Sequence, residues 1–132
     1  VDEKGLNNIV FKGRIDKECI PYVLSKSDLN LMDGDIGGLS KYGISGNKLF
    51  DYIASGKPIV MDCEENEFGI INKNQIGIAK NSNGPLDMAE LIADMLNGDE
   101  DRYNMWCNNA SLLAQEFDFK RLTDKLIELI EE

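Results

Sequence analysis

The sequence predicts an α/β fold, in which a parallel sheet flanked by helices is followed by an all-helical end. Over residues 1–84, short β-rich apolar runs alternate with stretches of helical periodicity, the usual pattern of parallel strands joined by helices. From residue 85 onward, apolar residues recur at helical spacing alone. The 132 residues, of which 42% are hydrophobic, are enough for one compact core.

Four apolar runs are predicted to form the strands of one parallel sheet. They are residues 8–12, 28–32, 58–62 and 76–80, and the last has the weakest pattern. The connections between them are expected to be right-handed and mostly helical. The longest connection, residues 33–44, is rich in glycine and follows a strand end, where open α/β sheets bind ligands.

Helix signals place the remaining elements. Ser45 is a favourable N-cap for a helix over 46–55, and Gly56 ends that helix just before Pro58. Three further helices are predicted after residue 84, each with an apolar face. These faces are Met88, Leu91, Ile92, Met95 and Leu96; then Tyr103, Trp106, Ala110, Leu113, Ala114 and Phe117; then Phe119, Leu122, Leu126, Leu129 and Ile130. Trp106 and Tyr103 are expected to be core residues, not a sugar platform.

Composition excludes several classes of chemistry. The sequence has no His, so a His general base, a His-activated nucleophile and a His-ligated metal are excluded from this chain. Its three cysteines, Cys19, Cys63 and Cys107, lack metal-site spacing and are read as reduced thiols of a cytoplasmic protein. Asp33 with Asp35, and Glu64, Glu65 and Glu67, are read as a turn and as a solvated loop leading into a helix.

Charge is unevenly distributed along the chain. Residues 1–84 carry 12 acidic and 10 basic side chains, a net of −2, whereas residues 85–132 carry 12 acidic and 4 basic, a net of −8. The acidic helical end argues against binding of nucleic acid or an anionic membrane. No apolar run is long enough for a membrane span, so none is expected. The nearly neutral first part would tolerate a phosphate-bearing ligand.

The helix after Ser45 carries the most suggestive arrangement of charges. Its start presents free N–H groups, Lys48 lies in its first turn, and Asp51 lies three residues further on the same side. A cation for phosphates beside a carboxylate for sugar hydroxyls suits a nucleotide sugar. The plain alternative is that Ser45 only caps the helix and that Lys48 and Asp51 form a surface ion pair.

The segment GISGNKLFDYIASGKPIV (residues 43–60) resembles the donor-site helix of family 4 retaining glycosyltransferases, which have the GT-B architecture. VFKGR (10–14), IPYVLSKSDLNL (20–31) and QEFDF (115–119) are similar to further ordered segments of that family. The resemblance covers nearly the whole chain. It implies that residues 1–132 are most of the Rossmann-like C-terminal donor-binding lobe, with βα units over 1–84 and C-terminal helices over 85–132.

The resemblance also implies roles for individual residues. Gly13, Arg14 and Ile15 occupy the loop that cradles the nucleotide base. Ile44, Ser45 and Lys48 lie where the family approaches the diphosphate and sugar. Asp51 takes the position of the second of two family glutamates, which binds ribose hydroxyls, whereas Gly43 stands where the first glutamate would be. An Arg read on its own is most often only solvated, and this alternative stays open for Arg14.

The implied function is nucleotide-sugar binding, with a UDP-sugar expected, within a bacterial hexosyltransferase of polysaccharide or glycolipid synthesis. No catalytic residue, metal or cofactor is expected in this chain, which alone should be inactive. The acceptor domain and the phosphate-gripping Arg and Lys are expected before Val1, and the full-length enzyme is expected in the cytoplasm or at the inner face of the membrane. Two alternatives remain: a non-catalytic nucleotide-sugar-binding or interaction module, and a GT-B sugar-nucleotide epimerase. A receiver domain is excluded because no acidic pair follows the first strand.

Overall fold

The computed structural model describes residues 5–33 and 46–131. Within these ranges, a three-stranded parallel sheet is packed between helices and followed by helices. The strands are β1 (Asn30–Asp33), β2 (Ile59–Asp62) and β3 (Gly77–Lys80). The helices are α1 (Ile20–Ser25), α2 (Asn47–Ala54), α3 (Pro85–Asn97), α4 (Glu100–Ala114) and α5 (Phe119–Glu131), with 3₁₀ turns at Lys17–Cys19 and Gln115–Phe117.

The sheet has the order β1-β2-β3, and both pairings are parallel. Leu31 lies beside Val60, which lies beside Ile78, so the three strands are in simple register. The predicted strands at 28–32, 58–62 and 76–80 are therefore confirmed to within two residues. The connection between β2 and β3, residues 63–76, contains no helix, which corrects the expectation that a helix begins there.

The predicted strand over residues 8–12 is wrong. These residues form no strand, and Val10 and Phe11 are 67% and 83% exposed. A β-rich sequence becomes a strand only when a neighbour pairs with its backbone and its side chains are covered. No strand in the described part of the chain lies beside this segment. The α/β class is thus confirmed, whereas the sheet is smaller than the sequence predicted.

Core residues cover both faces of β2. Ile59 and Met61 pack on one face against Leu49 and Ile53 of α2. Val60 packs on the other face, in a cluster with three residues of α3 and α4: Met88, Met95 and Trp106. The alternation follows from the two-residue period of a strand. Leu49 and Ile53 are fully buried, so they fix the orientation of α2 relative to the sheet.

The C-terminal helices differ in how much of their predicted faces they bury. Trp106 is buried, as predicted, and Tyr103 is half-buried with its hydroxyl donating to the Asp28 carbonyl oxygen at 2.8 Å. Met88 and Met95 of α3 are also buried, while Leu96 is exposed. By contrast, α5 buries no residue at all, so its predicted apolar face faces solvent.

Glu65 is a structural residue of the connection between β2 and β3. Its half-buried carboxylate accepts hydrogen bonds from the backbone N–H groups of Ile70, Ile71 and Asn72 at 2.7–2.8 Å. The carboxylate therefore organises the chain where the sequence suggested a solvated loop and the start of a helix. The solvated interpretation fails for Glu65 because its negative charge satisfies three backbone donors at once.

Candidate functional site

The candidate site lies at the start of α2. The helix begins at Asn47, and Gly46 is its N-cap, with extended backbone angles of φ −70° and ψ 142°. Ser45 was predicted to be the cap, so the observed cap lies one residue later. Gly43, Ile44 and Ser45 themselves, together with the rest of the loop 34–45, lie outside the described residues.

A buried polar network holds the other end of α2 against the sheet. Asn30 of β1 is 4% exposed, and its Nδ2 donates to Ser55 Oγ at 2.9 Å. The Ser27 hydroxyl donates to Asn30 Oδ1 at 3.1 Å, and the Ser55 hydroxyl donates to the Tyr52 carbonyl oxygen at 2.6 Å. Because buried polar groups need partners, this network fixes where α2 ends and how it is rotated.

A cleft of 580 Å³ opens beside the first turns of α2. Its lining residues are Lys17, Ile20, Asn47, Phe50, Asp51, Phe117, Phe119 and Leu122. Asn47 and Asp51 are four residues apart and therefore share one side of α2. Lys17 reaches the cleft from the 3₁₀ turn before α1. The volume and the mixture of apolar walls with a few polar groups are typical of small-molecule sites.

The apolar wall of the cleft is aromatic. Phe50 of α2 and Phe117 contact edge to face, with ring centroids 5.0 Å apart. This contact joins the 3₁₀ turn that follows α4 to the first turns of α2. Phe119, at the start of α5, is 87% exposed, so its ring is accessible to a ligand. Aromatic rings of this kind offer a stacking surface for a planar base.

Asp51 and Lys48 are both exposed, and no ion pair joins them within the described part of the chain. The plain alternative of a surface ion pair therefore fails. Asp51 lines the cleft and also a smaller cavity of 150 Å³ between α1 and α2, whereas Lys48 lines neither. Burial raises the pKa of the Tyr52 hydroxyl, and the negative charge of Asp51 raises it further.

The predicted base-binding loop is close in sequence to the cleft residue Lys17. Gly13 has a left-handed φ of +70°, and Arg14 and Ile15 are exposed. These residues precede Lys17 but do not themselves line the cleft. Lys17 and Asn47 are site residues that the sequence analysis missed. The spacing of Asn47 to Asp51 could have identified Asn47, whereas nothing in the sequence pointed to Lys17.

A second cavity, of 610 Å³, lies near the end of α3 and the start of α4. Its charged lining residues are Asp28, Asp99 and Glu100, with no lysine or arginine among them. A phosphate would meet three carboxylates there and is disfavoured by their charge. The cleft beside α2, which has a lysine in its lining, is therefore the better candidate for an anionic ligand.

The described residues contain no group of three or more side chains placed to hold a metal ion. Within the same residues, every helix is too short or too polar to cross a membrane. No protein-family model, curated protein or solved structure matches this chain.

Proposed function

We propose that this chain is the nucleotide-sugar donor-binding part of a glycosyltransferase, with a UDP-sugar as the donor. The observation that carries the proposal is the cleft beside α2, where Asp51, Asn47 and Lys17 come together against an aromatic wall. The resemblance of residues 43–60 to a glycosyltransferase donor helix supports the same conclusion. In the whole enzyme, the sugar would pass to a polysaccharide or glycolipid acceptor held by another part of the protein.

Each group in the site has a defined task under this proposal. The ionised Asp51 accepts the two ribose hydroxyls, and hydrogen bonds to a charged group contribute about 1.5–3 kcal/mol each when shielded from water. The free N–H groups at the start of α2, with Lys48 in its first turn, attract the diphosphate. The same positive groups stabilise the charge that develops on the diphosphate as the glycosidic bond breaks.

Lys17 and Asn47 extend this set. Asn47 lies one turn before Asp51 on the same side of α2, so its amide can reach the same ligand. Lys17 adds a positive charge to the lining of the cleft. A planar base in the cleft could stack on the exposed Phe119 ring. No metal ion takes part in the proposed binding.

Calorimetric titration of UDP into the chain tests the proposal. We expect a weak dissociation constant, between roughly 0.1 and 3 mM, because one lobe supplies only part of the contacts. Asp51→Asn keeps the shape of the side chain but loses its charge and one acceptor oxygen, so we expect UDP to bind at least about tenfold more weakly.

Asp94→Asn is the matched control, because Asp94 is an exposed aspartate of α3 that does not line the cleft. The control should bind UDP like the unmodified chain. Equal affinity of the folded Asp51→Asn variant and the control would show that Asp51 does not bind ribose. Absence of any UDP binding at 10 mM nucleotide would contradict the proposed function itself.

A further inference from the structure

The outer edge of β1, on the side away from β2, has no strand beside it in the part of the chain that the structure describes. The Asn30 N–H donates to the Pro58 carbonyl oxygen at 2.9 Å, so the backbone groups of Asn30 point toward β2. Successive residues of a strand direct these groups to alternate sides, so the Leu31 N–H and C=O point to the outer edge. From the described residues, the Leu31 carbonyl oxygen accepts only a long bond of 3.5 Å from the Tyr52 hydroxyl. The edge therefore offers donors and acceptors to a further strand.

Apolar side chains near this edge are left uncovered. Leu31 of β1 is 50% exposed, and α1 buries none of its residues. Ile9, Val10 and Phe11 are also exposed, and the backbone of residues 8–12 forms no hydrogen bond to another described residue. A β-rich segment and a strand edge of the same chain thus both lack a partner.

The path of the chain fits the addition of this segment to the outer edge of β1. Residues 13–29 join the two and contain α1, and they are longer than the shortest crossovers between parallel strands. Because α1 packs beside α2, both helices lie on the same face of the sheet. A strand at this edge, followed by α1 and β1, would repeat the β1–α2–β2 unit in direction, face and hand.

We propose that residues 8–12 dock on the outer edge of β1 as a fourth parallel strand, and that the structure holds this segment undocked. In the docked state Val10 lies beside Leu31. Ile9 and Phe11 then point to the face that carries α1 and α2, because side chains alternate along a strand. This register places two of the three apolar side chains beneath α1, which itself gains a covered face.

The register specifies two hydrogen bonds. The pairing of β1 with β2 sets the pattern, in which Asn30 lies beside Ile59 and donates to the preceding residue, Pro58. By the same pattern, the Leu31 N–H donates to the Ile9 carbonyl oxygen, and the Phe11 N–H donates to the Leu31 carbonyl oxygen. The second bond replaces the long contact from Tyr52. The Val10 N–H points away from β1 and stays in solvent.

Docking also affects the cleft beside α2. A docked segment ends at the carboxyl edge of the sheet, where α2 begins, and Lys17 follows it by five residues. Docking therefore restrains the chain that carries Lys17 into the cleft. We expect the docked state to bind UDP more tightly, and this coupling, unlike the docking, rests on the proposed function.

Hydrogen exchange measured by nuclear magnetic resonance on the intact chain tests the docking. The Phe11 and Leu31 amides should exchange at least about tenfold more slowly than in an unstructured chain, whereas the Val10 amide should not be protected. The protection should be the same at low and high protein concentration, because both partners belong to one chain.

Two proline variants one residue apart test the register. Phe11→Pro removes a donor that docking needs, so the protection of Leu31 should be lost. Val10→Pro is the matched control, because a proline whose N position faces solvent is tolerated in an edge strand, and it should keep that protection. Phe11→Leu should also keep it, which separates the loss of the N–H from the loss of the ring.

Each outcome bears on the proposal. Unprotected Phe11 and Leu31 amides overturn it, as does protection that rises with concentration, which would assign the edge to a second copy. Equal loss of protection in both proline variants overturns the register. In calorimetry, Phe11→Pro should bind UDP at least about twofold more weakly than Val10→Pro. Equal affinity would overturn the coupling, whereas absence of UDP binding in every variant would contradict the proposed function instead.

Discussion

Replacement of Asn30 by alanine should destabilise the protein and loosen α2. Asn30 is 4% exposed and makes two side-chain hydrogen bonds, one donated to Ser55 Oγ at 2.9 Å and one accepted from Ser27 at 3.1 Å. Each lost bond costs about 0.5–1.5 kcal/mol. The space left by the amide adds about 1 kcal/mol more, because the tightly packed strand cannot fully collapse into it. The expected loss is therefore about 2–4 kcal/mol.

Urea unfolding followed by tryptophan fluorescence measures this loss directly, because the single Trp106 is buried in the core. The midpoint should fall while the m-value stays constant, which indicates a change in stability and not in the compactness of either state. Ser25→Ala is the control, since the exposed Ser25 hydroxyl only donates to the Tyr22 carbonyl oxygen within α1. It should change stability by less than about 0.5 kcal/mol. A loss below about 1 kcal/mol for Asn30→Ala would refute the argument that this network anchors α2.

The other predictions concern the sheet, the diphosphate and a surface carboxylate. Gly77→Ala should cost more than about 3 kcal/mol in urea unfolding, because a Cβ there would overlap the Ile59 carbonyl oxygen between β2 and β3. Lys48→Ala should weaken UDP binding about threefold or more but leave uridine binding unchanged in calorimetry, since only UDP carries the diphosphate; equal weakening would contradict a phosphate role. The Asn83 backbone N–H and the Lys80 ammonium, at 2.9 Å, lower the pKa of Asp87. The stability they provide should be present above pH ~4 and lost as the pH falls through the lowered pKa, a loss that is absent in Asp87→Asn.

The strands that pair with a neighbour in the sheet could be predicted from the sequence. The runs that became β1, β2 and β3 are apolar and are joined in a way that lets them pair, so local pattern and packing agree. Residues 8–12 have a similar local pattern but are not paired in the described residues, which the sequence alone could not reveal. The role of Glu65 was equally hidden, because it depends on three backbone donors brought together by a turn.

Residues of the candidate site could be predicted where they lie on one helix, but not where separate elements bring them together. Helical spacing correctly places Asp51 on an exposed side of α2, and the same rule would have added Asn47. Lys17 reaches the cleft from a separate turn of the chain, so only the packing of α1 and α2 brings it near Asp51. The exposure of the α5 face was hidden for the same reason, because an apolar stripe does not say what will cover it.

Mapping of bound UDP by nuclear magnetic resonance tests the central claim most directly. In a titration of the labelled chain with UDP, the amide signals of Lys17, Asn47, Lys48 and Asp51 should shift together with one dissociation constant. Asp99 and Glu100, in the acidic cavity, should not move. Uridine should reproduce the shifts at Asp51 but not those at Lys48. Shifts confined to the acidic cavity, or no shifts at α2 with 10 mM UDP, would contradict the account of this cleft as a nucleotide-sugar site.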